Sequence, residues 1–243
     1  MKRLLTFLSI ALVLASCGRK TTPPQMDSSD FVDISEVAED ILLEIRYYST
    51  YNFVGDRIDG YQAPLALMTR EGAAALKKAS DEVLAKGYRL KVFDAYRPQT
   101  AVNHFIRWAE NVGDVRMKPY FYPDVDKSLL FELGFICAQS SHSRGSTVDL
   151  TLFDMETERE VDMGGTFDWF GKESYADFSG ITDEQKELRK TLRDAMVGAG
   201  FKPYETEWWH FTLADEPFPD TYFDFPVSRL ALKDACCAAG CGK

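Results

Sequence analysis

Apolar and polar positions alternate along Arg89 to Tyr96 (RLKVFDAY) and Ser146 to Phe153 (STVDLTLF), the period of a half-buried strand. Ile41 to Tyr48 (ILLEIRYY) is dense in branched and aromatic residues and predicts another strand. Phe201 to Leu213 predicts one or two more. Between them the spacing becomes helical. Thr69 opens a helix that runs to about Lys86 and stops at Gly87. Pro98 suits a first helical turn, and Ala101, Phe105 and Trp108 fall near one face of a helix reaching about Val112. Thr182 with Gln185 has the form of a capping box, followed by a stripe of Leu188, Leu192, Met196 and Ala199 that ends at Gly198 and Gly200. Residues 56–63 and 113–127 read as loops. There is no βαβ rhythm, internal repeat or dividing linker. The pattern predicts a single α+β domain over 31–235, an antiparallel sheet flanked by helices.

The first residues follow another logic. Lys2 and Arg3 precede an apolar run from Leu4 to Leu14, too short to remain as a bilayer span. The run ends in Leu14-Ala15-Ser16-Cys17, which resembles a bacterial lipobox. That resemblance implies a signal peptide over 1–16, lipid on Cys17 and a place on the periplasmic face of a bacterial membrane. Residues 17–30 are polar, contain Pro23-Pro24 and read as a flexible tether.

Composition narrows the partners. With 45% hydrophobic and 27% charged residues the chain is globular in type, and its formal charge of −10 speaks against nucleic acid. Of five cysteines, Cys17 belongs to the anchor and Cys137 reads as a small buried hydrophobe within an apolar run. Cys236, Cys237 and Cys241 crowd the 236–243 tail, where pairing, adventitious metal or no function all remain open.

The chain has three histidines, and two of them fall in segments rich in polar chemistry. His142 lies in Ser140-Ser141-His142-Ser143-Arg144-Gly145, just ahead of the strand that carries Asp149. Alternation sets Asp149 on the face opposite Val148 and Leu150, beside Thr147 and Thr151. A carboxylate in such a strand needs a partner, and a metal is one. His210 closes Glu205-Thr206-Glu207-Trp208-Trp209-His210 on a neighbouring strand. Catalytic zinc takes three such ligands and leaves the fourth position open. Spacing alone also allows a surface histidine and a paired structural aspartate. In a regular strand Glu207 and His210, three apart, face opposite ways, so both reach one site only at an irregular strand start.

Taken together, Ser140-x-His142-x-x-Gly145-x-x-x-Asp149 and Glu207-Trp208-Trp209-His210 resemble the zinc D-Ala-D-Ala dipeptidases of the VanX type. These belong to the D,D-peptidases that share a fold with the hedgehog signalling domain. Asp94-Ala95-Tyr96-Arg97-Pro98, Ile45-Arg46-Tyr47 with Asn52-Phe53, and Asp162-Met163-Gly164 with Phe167-Asp168 extend the resemblance from about Val32 to Phe225. It implies one zinc per chain held by His142, Asp149 and His210, with Glu207 as general base and acid. It further implies that Arg97 would stabilise the oxyanion, that Asp168 and Tyr47 would hold the substrate ammonium, and that Ser140 would bond the substrate near its far end. The implied reaction splits D-Ala-D-Ala into two D-alanines, and a lipid anchor points to recycling or scavenging of peptidoglycan fragments. Alternatives are a D,D- or L,D-carboxypeptidase acting on stem peptides and a non-catalytic zinc-containing wall-binding lipoprotein. His104, on a helix outside every matched segment, reads as structural.

Overall fold

The computed structural model describes residues 27–232; the leader, Cys17 and the three tail cysteines lie outside the described residues. The fold begins slightly before residue 31. Ser28 is buried, and its hydroxyl donates to the Ala231 carbonyl at 2.9 Å, clasping the two ends of the described chain.

The elements run β1 (Phe31–Asp33), α1 (Ile34–Val37), β2 (Leu42–Leu43), β3 (Leu67–Thr69), α2 (Arg70–Leu84), β4 (Tyr88–Asp94), α3 (Gln99–Glu110) and α4 (Lys118–Phe121). They continue with β5 (Thr147–Asp154), β6 (Arg159–Glu160), α5 (Asp183–Gly198), β7 (Phe201–Tyr204) and β8 (Glu207–Leu213). The main sheet has the order β2-β4-β5-β8-β7, with β6 added beside β5, while β1 and β3 form a small second sheet. Helices α2 and α5 pack on each other and on the main sheet, and Val148, Leu150, Leu152, Leu192 and Met196 are buried without exception. The α+β class and the single domain stand as predicted.

Local chemistry explains the helix ends. The Thr69 hydroxyl accepts from Gly72 N at 3.2 Å, and both reciprocal bonds of the Thr182–Gln185 box are present, so each helix starts with orphan donors satisfied. Gly87, at φ +87, ends the first of these segments.

Four expectations need correction. The sheet is not wholly antiparallel, because β2 pairs parallel with β4. The strand predicted over 41–48 shrinks to Leu42–Leu43. Its later residues turn inward instead: Arg46 packs its guanidinium against the rings of Tyr51 and Phe93, and Tyr47 is buried beneath the functional cleft. Cys137 is exposed, because its apolar run lies along the rim of that cleft and sends only Ile136 into the core. Within the predicted loop 113–127, Lys118–Phe121 forms a helical turn. His104 is structural as expected, its Nδ1 accepting from Asp59 N at 3.1 Å.

Candidate active site

Three neighbouring strands place the chemistry. Asp94 on β4 pairs with Asp149 on β5, and Asp149 pairs with His210 on β8. Directly opposed residues share a face, so the register alone sets three polar side chains in a row across the sheet. A short helical turn, Ser141–Arg144, brings His142 over the same row. Gly145 closes that turn at φ +83, where a Cβ would stand 2.3 Å from the Phe31 ring. Only glycine fits there, and the sharp exit leads His142 and Asp149 back to one point.

His142 Nε2 lies 3.1 Å from Asp149 Oδ2 and 3.3 Å from His210 Nδ1, and His210 Nδ1 lies 3.0 Å from Asp149 Oδ1. The two ring nitrogens and the two Asp149 oxygens that face them thus lie 3.0–3.3 Å apart, close to the ligand–ligand spacing of a tetrahedral site with arms of about 2.0–2.1 Å, the zinc–ligand length. The Asp149 Oδ1 atom is buried and lacks a well-aligned hydrogen-bond donor, with the His210 ring nitrogen its close neighbour. Each imidazole is held from its far side. His142 Nδ1 is 2.7 Å from the Ala95 carbonyl and His210 Nε2 is 3.3 Å from the Ser141 hydroxyl, which leaves the inward nitrogens to serve as ligands. Two imidazoles, one carboxylate and an orphaned buried oxygen fit a catalytic metal.

Electrostatics agree with a site built to hold charge. Burial tends to raise the Asp149 carboxyl, but the charge and hydrogen bonds of His142 and His210 outweigh it and hold the group well below the usual carboxylate range. Burial pushes His142 down. It opposes protonation of His210 too, yet the bond and charge of Asp149 carry His210 upward.

The other predicted residues line the same cleft of about 610 Å³. Glu207 stands with Oε2 3.4 Å from His210 Nδ1. The irregular start that this required is present: pairing jumps from Pro203–Phe211 to Tyr204–Glu207. Burial raises the Glu207 carboxyl, which favours a proton carrier. Glu205, two residues earlier, is not among the residues lining the cleft. Arg97 donates to Asp94 at 2.9 Å and to Asp149 at 3.4 Å, and its guanidinium lies over the Tyr47 ring at 4.9 Å. Ser140 caps the His142 turn and lies 3.5 Å from Arg97 Nη1. Asp168 is buried at φ +59, a left-handed conformation that aspartate tolerates better than most residues. The Tyr47 hydroxyl donates to its two oxygens at 3.1 and 3.0 Å. Burial, then the charge of Asp149, lifts the Asp168 carboxyl well above its ordinary range, so a cation arriving there meets a group in need of one.

Two contributors were not assigned roles from sequence. Asp94 receives Arg97 Nε on one oxygen and the Tyr61 hydroxyl, at 2.5 Å, on the other. It therefore fixes the angle of the guanidinium. The spacing Asp94-x-x-Arg97 carries a signal for the first contact, but nothing local to Tyr61 foretells the second.

A triad of one histidine from a helical turn with an aspartate and a histidine from adjacent strands, beside a glutamate and an anchored arginine in a cleft, defines the class of single-metal hydrolases. A family profile described as D-ala-D-ala dipeptidase matches residues 27–228, and the chain belongs to that family. It is 40% identical over 198 residues to a D-alanyl-D-alanine dipeptidase of Enterococcus faecalis, covering 82% of this chain and 98% of the relative. Against the D-alanyl-D-alanine dipeptidase of Streptomyces coelicolor the identity is 39% over 201 residues, covering 83% and 100%. A solved vancomycin-resistance D,D-pentapeptidase in complex with Zn(II) is similar at a TM-score of 0.38 and 16% identity, over 63% of this chain and 76% of that one.

Proposed function

We propose that the chain is a zinc dipeptidase that hydrolyses D-Ala-D-Ala to two D-alanines. The observation that carries this reading is the buried Asp168–Tyr47 pair in the same cleft as the His142, Asp149 and His210 triad. A carboxylate there selects a substrate whose ammonium lies close to the scissile bond, which a dipeptide offers and a stem peptide does not. Zinc held by the triad supplies Lewis-acid activation of water and of the scissile carbonyl. Glu207 takes a proton from the attacking water and gives one to the departing amine. Arg97, held by Asp94, donates to the oxyanion as the carbonyl carbon becomes tetrahedral. Ser140 bonds the substrate beyond the cleaved amide. One C–N bond breaks, one C–O bond forms and one water is consumed.

The direct test incubates purified protein, with and without chelator, with D-Ala-D-Ala, L-Ala-L-Ala and a pentapeptide stem. Chelator-sensitive cleavage of D-Ala-D-Ala alone is the expected result. Cleavage of the stem would instead support the carboxypeptidase reading, and no cleavage at all the binding-protein reading. The ligand set has its own check: His142→Ala should lose zinc by metal analysis, and full occupancy in that variant refutes the assignment.

The lipobox-like leader supports a lipid anchor at Cys17 and a periplasmic placement. Scavenging or recycling of D-Ala-D-Ala released from the wall fits that location better than a role in precursor assembly. Cys17→Ser should free the protein from the membrane fraction or leave it uncleaved. Unchanged fractionation with normal processing would rule the anchor out.

A further inference from the structure

A dipeptide carries one charge at each end, and the proposed mechanism gives a charged partner only to the ammonium. The lysine and arginine side chains lining the cleft are Arg97, Arg144 and Lys202. Arg97 is engaged by Asp94 and Asp149. Arg144 is bound fork to fork by Glu216, at 2.8 and 2.7 Å. Lys202 has no ion pair or side-chain hydrogen bond among the described residues.

Its direction follows from the sheet. Lys202 on β7 stands directly opposite Thr212 on β8. Thr212 in turn meets Thr147 hydroxyl to hydroxyl at 2.9 Å. Opposed residues share a face and alternate residues repeat it. Lys202, Thr212, His210, Thr147 and Asp149 therefore stand on one face, and Lys202 lies diagonally from His210, one strand over and two residues along, about 8 Å away. The ammonium end lies the other way: Tyr47, which holds Asp168, packs under Arg97 just past β4. A substrate anchored at Asp168 and crossing the triad thus extends its other end toward β7.

We infer that Lys202 receives the terminal carboxylate of the substrate and is a specificity-determining residue of this cleft. The inference rests on the dipeptidase reading. Ser140 offers only a neutral hydroxyl, whereas Lys202 supplies the opposite charge. A strand-edge lysine has an alternative use, since a charge on an edge strand discourages pairing with other chains, and that use makes no difference to substrate charge.

The experiment compares D-Ala-D-Ala with D-alanyl-D-alaninamide, which differs in lacking the terminal charge, on wild type, Lys202→Met and Lys202→Arg. Wild type should favour the acid by about 10–100-fold in kcat/KM, the range of a hydrogen bond to a charged group. Lys202→Met should shrink that preference about tenfold through a higher KM for the acid, with kcat little changed, and Lys202→Arg should restore most of it. An acid-to-amide ratio that is the same in Lys202→Met and wild type overturns the inference. Failure of wild type to cleave D-Ala-D-Ala is a separate result, and it overturns the dipeptidase reading beneath.

Discussion

Glu207→Ala should lower kcat by about 10²–10⁴-fold, the usual contribution of a general acid–base group, while zinc content stays at one per chain. The carboxylate lies beside the triad, 3.4 Å from His210 Nδ1, whereas the triad atoms approach one another to 3.0–3.3 Å. Glu207 is also the most open of these groups, with 37% of its side chain exposed against 12% for His210 and 3% for Asp149. Water reaches it, which suits a group that exchanges protons. His210→Ala provides the contrast, since losing a ligand should remove metal and activity together. Metal analysis beside steady-state kinetics separates the two. If Glu207→Ala loses its zinc, Glu207 is a ligand and the three-ligand assignment is wrong. If it keeps wild-type kcat, the proton moves by another route.

N-acetylation of D-Ala-D-Ala should cost about 10²–10³-fold in kcat/KM. The acetyl group deletes the ammonium, and removing one member of a buried charge pair typically costs about 3–5 kcal/mol. Asp168 is buried enough for that scale to apply, and the hydroxyl that donates to it from Tyr47 is neutral. Competition assays with free and acetylated dipeptide read the effect directly. Equal turnover of both would show that the cleft does not test for an amino terminus.

Much of the fold was legible because it is written locally. The alternation in RLKVFDAY and STVDLTLF marked β4 and β5, and the Thr182–Gln185 box fixed the start of α5 to the residue. The segment from Ile41 to Tyr48 misled for a physical reason. Its branched and aromatic residues are buried as a strand's would be, but by a turn that feeds Tyr47 and Arg46 into aromatic packing, and composition alone does not distinguish the two. Cys137 misled in the opposite sense: an apolar run was read as core, though Leu133 is 53% exposed and lines the cleft. Apolar character serves a binding rim as readily as an interior. Within the site, the residue types were readable from the two polar segments, while their convergence depends on the strand order β4-β5-β8, which no local signal carries. The Glu207–His210 conflict was legible as a problem, and the register jump between β7 and β8 is its solution.

The contact between Ser28 and Ala231 has a consequence for orientation in space. Chain enters and leaves the domain through neighbouring points, so a constraint applied at one end acts on the other as well. A linker joining the two ends, with new termini cut at an exposed loop, makes a circular permutant that needs no rearrangement of the sheet. Equally, a reporter placed just after Ala231 stands beside Ser28, so a label there reports on both ends of the described chain.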